Sequence, residues 1–233
     1  MTKRLSSVDR VYETLRDMAI NFDFKPGERI NESALTSHLG ASRTPLREAL
    51  NRLVAEGFLT LAKGQGFFCR SLEPNKILEL YQARCAVETE GVIRGVENAS
   101  DKDISDLCSY LDAFEKTYFT CTDLTELLRM DEEFHLRLAS LSGNGELIRL
   151  LNNLNERIRY VRLINIRQIR DQMENEPSDD DKLLPAHRRI VNAVKNRDSD
   201  TAVAVLRGHI ERRSGETVEL VRLAYSQLYV PSH

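Results

Sequence analysis

Several things are scarce in this sequence, and each scarcity excludes a class of protein. Only 6 of the 233 residues are proline and 11 are glycine, against 41% hydrophobic and 30% charged. That balance excludes a collagen-like or disordered chain and leaves enough apolar material for a real core. No apolar run approaches the roughly 18 residues that a membrane helix needs, so no membrane span is expected. The first ten residues hold no apolar core of the signal-peptide kind. The four cysteines, Cys69, Cys85, Cys108 and Cys121, are widely spaced and form no CxxC pair. They read as reduced, mostly buried thiols of a cytoplasmic protein, not as a disulfide framework or a zinc finger. Charge of one sign is also missing overall. The formal net charge is −3, which argues against a uniformly basic nucleic-acid binder. The average conceals an asymmetry, because residues 1–70 carry +3 and the remainder −6. A mildly basic head on an acidic body is still compatible with DNA binding, since local potential matters more than the total.

What is present is strongly patterned. Helical periodicity runs from about Ser6 to Ile20, with Val8, Val11, Leu15 and Met18 on one face. A turn at Lys25-Pro26-Gly27 precedes a short helix near Asn31–Leu39 that stops at Gly40. Ser42 opens a third helix, which runs to about Glu56 and stops at Gly57. Phe58–Ala62 and Phe67–Arg70 flank Lys63-Gly64-Gln65-Gly66 and read as a hairpin. Helix, helix, turn, helix, hairpin is the order of a winged helix-turn-helix. On the third helix, Arg43, Arg47 and Asn51 follow one another at four-residue steps beside the apolar stripe Leu46, Ala49, Leu50, Leu53. Like charges four apart destabilise an isolated helix slightly, and phosphates or guanine edges would compensate them. Plain solvated surface charges are the alternative on spacing alone. Arg52, with Glu48 and Glu56 four residues away on either side, reads as a surface ion pair.

Glu73-Pro74-Asn75 marks a boundary, which divides the chain into domains 1–72 and 73–233. Beyond it, helices are expected over roughly 75–98, 101–118, 122–141, 145–174, 180–196 and 199–228, with Asp101, Thr122, Ser178 and Asp198 at or near their caps. The expected fold is mainly α: the winged head followed by an all-helical antiparallel bundle. Four polar side chains in that bundle stand where polar groups should not. Asp131 and His135 lie one turn apart in the middle of the apolar face Leu124, Leu127, Phe134, Leu138, Leu141. His187 sits between Leu183, Leu184, Ile190, Val191 and Val194, and His209 is flanked by Ala202, Val205, Leu206 and Leu220. A buried unpaired carboxylate costs several kcal/mol or is forced to protonate. A cation shared by one carboxylate and three imidazoles removes that cost, and i,i+4 spacing points two ligands the same way. Any one of these histidines alone is more often a satisfied core residue; His38, in the head, is of the ordinary kind.

Leu35 to Gly57, with SRTPLREALNRLVAEGFL at its heart, resembles the winged helix-turn-helix of GntR-type bacterial transcription regulators, and the match extends through the wing. The resemblance implies that Arg43 and Arg47 touch operator bases or phosphates, that Thr44 contacts the DNA backbone, and that Gly64 in the wing approaches the minor groove. One departure is Ser33, where fatty-acid-responsive members carry an arginine. The body resembles the FCD ligand-binding domain of the FadR subfamily, on RMDEEFHLRLASLSGN (129–144) and LPAHRRIVNAVKNRDSDTAVAVLRGHI (184–210). Metal-binding members use an Asp and three His at the positions of Asp131, His135, His187 and His209, a set that members binding long acyl-coenzyme A thioesters lack. The family often has an arginine at the position of Arg84, which suits an anionic effector, although Glu88 one turn on could pair with it instead. The arginines of residues 145–174 (Arg149, Arg157, Arg159, Arg162, Arg167, Arg170) read mostly as a solvated face, and Asn144 as a helix start.

The resemblance implies a cytoplasmic, homodimeric, metabolite-responsive DNA-binding regulator, by the family's commoner mode a repressor. Its partners are double-stranded operator DNA and a small carboxylate metabolite, with no membrane. Its cofactor is a divalent ion (zinc, manganese, nickel or iron, with zinc slightly favoured), because mixed imidazole and carboxylate sites accept several metals. A metal-dependent hydrolase using the Asp/His3 set is the rival class. It would need a general base near the ion, and Glu132 and Glu133 lie on other faces of the Asp131 helix. A purely structural ion is a third reading.

Overall fold

The structure is a computed structural model that describes residues 6–118, 120–175, 184–215 and 217–229. The chain divides into two compact units, residues 1–76 with 224–233, and residues 77–223.

In the first unit, α1 (Ser7–Ile20) starts at Ser6, whose hydroxyl accepts from the Asp9 N–H. Asn31 caps α2 (Glu32–Leu39) in the same way through Ala34, and Gly40 ends it in the left-handed conformation that glycine adopts without strain. Ser42 stands at the cap position of α3 (Arg43–Ala55) but makes no side-chain cap bond. The expected cap is therefore positional only. Pro45 lies in the first turn of α3, where its missing N–H breaks no helical hydrogen bond. The strands β1 (Leu59–Ala62) and β2 (Gly66–Cys69) pair antiparallel, from Leu59 opposite Cys69 to Ala62 opposite Gly66. The segment before α2 adds to the wing: Arg29 bridges Phe68, and Ile30 N–H donates to the Phe67 carbonyl at 2.8 Å. The core of this unit is apolar, built on Leu15, Leu46, Ala49, Leu50, Leu53, Phe58 and Phe67, each fully buried. Burying one such side chain stabilises by about 1.5–3 kcal/mol.

The second unit is helical. It contains the greater part of α4 (Pro74–Asn98), then α5 (Asp101–Tyr118), α6 (Leu124–Ser140), α7 (Gly145–Asn175), α8 (Leu184–Lys195), α9 (Ser199–Gly215) and the start of α10 (Thr217–Tyr229). The helix expected over 199–228 is described as α9 and α10 on either side of residue 216, which, like the expected cap Ser178, lies outside the described residues. Two expected caps are one residue out. Ser100 and Asp103 cap α5 reciprocally, and Asp123 caps α6 by accepting from Thr125 and Glu126. Asp198 caps α9 through the Thr201 N–H, and Asn144 opens α7 through Glu146 and Leu147. α6 packs on α5 and α7, and α8 packs on α5 and α9. Glycines bring α4 against the end of α6. A Cβ at Gly91 would lie 3.3 Å from the Ala139 backbone, and one at Gly95 would lie 2.9 Å from Leu141. Cys69 and Cys85 are buried as expected, whereas Cys108 and Cys121 are half-buried.

Candidate metal centre and DNA-facing surface

Four residues per step is close to one helical turn, so α6 presents Asp131 and His135 on one inward face. α8 adds His187 and α9 adds His209. All four side chains are buried, and one ligand atom from each lies within 4.8 Å of all the others. His187 Nε2 is 3.3 Å from one Asp131 oxygen, and His135 Nε2 is 3.8 Å from the other. Phe134 packs on the His187 ring at 4.4 Å between centroids, which excludes water from that side. His135 Nε2 and both ring nitrogens of His187 have no hydrogen-bond partner among the described residues. A buried polar atom left in that state costs about 1–3 kcal/mol. The partnerless nitrogens of His135 and His187, with His209 converging on the same carboxylate, are a donor set that fits a divalent cation, so the residues present suit a metal.

The surrounding charges show how a carboxylate is kept ionised here. Burial alone would raise the Asp131 carboxyl, but His187 and the Arg162 guanidinium beside it hold it well below the usual carboxylate range. Arg162 donates directly to Asp131 and also reaches Asn155 at 3.3 Å and Glu132 at 3.5 Å. This corrects the expectation of a mostly solvated arginine face on α7. Only Arg149 and Arg167 of the six are exposed, and Arg162 is buried. A signal for it was present: Arg162 continues Leu151, Asn155 and Ile158 at helical steps, and all four are buried. Burial pushes His135 below its ordinary value, which favours the neutral imidazole that a metal ligand requires.

Glu88 on α4 completes the cluster. One oxygen accepts from Arg84 Nε and the other lies 2.6 Å from His135 Nδ1. Burial would raise this carboxyl as well, but Arg84 and His135 lower it to about 2. The pairing of Arg84 with Glu88 is therefore real, yet it does not exhaust the guanidinium. One terminal nitrogen of Arg84 is buried and has no hydrogen-bond partner among the described residues. Arg84 lines a cavity of about 30 Å³ with Tyr81, Asp131, Arg162, Asn165 and His209. That volume has room for about two water-sized groups. Glu132 is engaged by Arg162 and, at 3.8 Å, by Arg159. It is therefore held as an ion-pair partner rather than poised as a general base.

In the first unit, Arg43, Thr44 and Arg47 are exposed on α3, and Gly64 is exposed at the tip of the hairpin with φ +77°. Arg43 and Arg47 share a groove of about 510 Å³ with Arg29, Asn31, Glu32 and Ser33. Glu32 lies 3.4 Å from Arg47 and relieves part of the like-charge repulsion; the Phe67 ring lies under the Arg47 guanidinium, 5.5 Å from its centroid. Arg29 was missed at the level of sequence because it precedes α2 and follows no helical stripe. Arg52 is an ion-paired surface residue as expected, but across the fold: it donates to Asp9 at 3.0 Å and lies over the Tyr12 ring at 3.8 Å.

Residues 7–69 match the family model for bacterial regulatory proteins of the gntR family, and residues 79–212 match the FCD domain. The chain is 38% identical to the Nta operon transcriptional regulator of Aminobacter aminovorans, over 91% of this chain and 95% of that protein. It is 25% identical to the gluconate operon transcriptional repressor of Bacillus licheniformis, over 93% and 87% of the two chains. Among solved structures it resembles McbR/YncC of E. coli, with a TM-score of 0.69 at 21% identity over 93% of this chain and 99% of that one. A GntR regulator from Rhodococcus sp. RHA1 matches with a TM-score of 0.66 at 25% identity, over 92% and 99%.

Proposed function

This chain belongs to the gntR family of bacterial regulatory proteins and carries an FCD domain, and on that premise we propose that it is a metabolite-responsive transcriptional repressor controlled by a metal-anchored carboxylate. A transcriptional regulator of this family binds operator DNA. Here Arg43 and Arg47 would read bases or phosphates, Thr44 the backbone, and Gly64 would let the wing tip approach the minor groove. A homodimer working in the cytoplasm would match a two-fold operator. The supporting observation on this side is that all four residues are exposed on α3 or the hairpin tip.

In the second unit, Asp131, His135, His187 and His209 would hold one divalent cation. When bound, the ion supplies positive charge and open coordination positions for a carboxylate. Arg84 would then bind the same small carboxylate with the guanidinium nitrogen that Glu88 leaves unpaired. The observation that carries this reading is the convergence of four buried ligand atoms within 4.8 Å, beside a cavity that Arg84 also lines. Effector binding shifts operator affinity only by its differential affinity for the two states of the protein, and repression relieved by effector is the mode proposed. The hydrolase reading finds no support, since the gntR family model and the named operon relatives describe regulators.

Metal content of protein purified in metal-supplemented buffer tests the centre. The wild type is expected to hold about one ion per chain, with His187→Ala and His209→Ala depleted. Equal content in all three proteins, or none in the wild type, overturns it. Small dicarboxylates should then weaken operator binding by the wild type and leave Arg84→Met unaffected.

A further inference from the structure

Glu88 is not among the four residues whose atoms converge, yet it touches both halves of the site. It is 1% exposed, four residues after Arg84 on α4 and 47 residues from His135 on α6. Its two oxygens are divided between two partners, Arg84 Nε and His135 Nδ1. A neutral imidazole carries its proton on one nitrogen and accepts on the other. A carboxylate can only accept, so Glu88 requires the proton on Nδ1. That leaves Nε2, 3.8 Å from Asp131, as the lone-pair atom facing the cluster. Such a buried carboxylate behind an imidazole is how metal-ligating histidines are oriented.

We propose that Glu88 is a positioning residue for the metal centre: it sets the tautomer and direction of His135, and through the same carboxylate it anchors the effector arginine Arg84. The inference rests on the metal reading above and goes beyond it, because it assigns the ligand competence of His135 to a residue that binds neither ion nor effector. The fold serves this arrangement directly. The close approach at Gly91 and Gly95 sets α4 near enough to α6 for a carboxylate to reach across.

Glu88→Gln is the informative variant because it keeps the shape and removes one acceptor. An amide has a single oxygen, so it cannot accept from both Arg84 and His135 through two separate oxygens. With the amide NH2 turned to His135, Nδ1 must become the acceptor and Nε2 takes the proton, which blocks ligation. Nitrogen-15 NMR of metal-free protein should show His135 protonated on Nδ1 in the wild type and on Nε2 in Glu88→Gln. Zn2+ affinity, measured by chelator competition, should fall about 10–100-fold in Glu88→Gln. In a His135→Ala background the same substitution should change it little, because its effect passes through His135. An equal fall in both backgrounds would mean that Glu88 acts only through its charge, and overturns the role. So does an Nε2 proton on His135 in the wild type, which is decisive even if the variant fails to fold. Zn2+ uptake with unchanged affinity in a folded Glu88→Gln overturns this role alone; absence of uptake by the wild type overturns the metal reading with it.

Discussion

The two units place the charges of their candidate sites differently. The first buries an apolar core around Leu50, Phe58 and Phe67 and carries Arg43 and Arg47 outside it. The second buries its charge: Asp131, Glu88, Arg84 and Arg162 lie at most 7% exposed, among three buried histidines. The contrast follows from the ligands each unit suits. DNA is a large polyanion met at a surface, so exposed cations on a rigid apolar support suffice. A small ion or carboxylate has to be desolvated and oriented, and that calls for polar groups inside, each compensated by a partner.

Removing a partner inside the second unit should therefore do the most damage. Asp131→Ala takes away the carboxylate that Arg162 and His187 share, leaving Arg162 only its longer carboxylate contact, to Glu132, and we expect a loss of about 3–5 kcal/mol in the metal-free protein by chemical denaturation. A loss below about 1 kcal/mol would mean that the buried charges are compensated elsewhere, and the contrast between the units would weaken. The ion is the next lever. At a hundredfold excess over Kd, binding to the native state alone stabilises by about 2.7 kcal/mol. Chelator should accordingly lower the Tm of the wild type and hardly move that of His187→Ala; equal shifts would remove the centre.

On the exposed side the expected effect is functional rather than structural. Arg43→Ala or Arg47→Ala should cost about 1–3 kcal/mol of operator binding if a base contact is lost. If a phosphate contact is lost, the salt slope should instead drop by about one. Stability should stay within about 0.5 kcal/mol of the wild type. Unchanged gel-shift affinity in both variants would end the DNA assignment, and an unfolded Arg47→Ala would show that this charge is not merely carried on the surface.

The gentlest test is pH. Burial lowers His135, so its neutral form is favoured in the fold and it adds stability above the unfolded value near 6.5. That contribution should decline as the pH falls from 6.5 towards the lower folded value, by at most about 1.4 kcal/mol per pH unit for one proton. Glu88, held at about 2, adds a second loss only below the ordinary carboxylate value of 4.5. Melting curves of metal-free protein between pH 7 and 5 check this. Replacing His135 by Gln should flatten them, and a slope that survives the change would place the titrating group elsewhere.

Most of the winged head was legible from its sequence because its signals are local. Stripes at three and four residues mark the inward faces, glycines and capping side chains mark the ends, and exposed arginines stand apart from the stripe. The same logic identified Asp131, His135, His187 and His209 as polar residues on apolar faces. It failed for Arg162, which charge alone classed with its exposed neighbours, and left open the partner of Arg84. Arg52 was paired within its own helix by sequence distance, whereas α1 supplies Asp9 and Tyr12.

The sequence by itself determined the order of the elements, the faces they turn inward, and the four residues whose burial needs an explanation, since each is encoded within one or two helical turns. Only the tertiary structure decided which inward faces meet. Glu88 reaches His135 across 47 residues and Arg162 reaches Asp131 across 31, and both pairs exist because separate helices pack at close range. Periodicity says that a side chain points inward; which charge it finds there depends on helix packing, which no local pattern records.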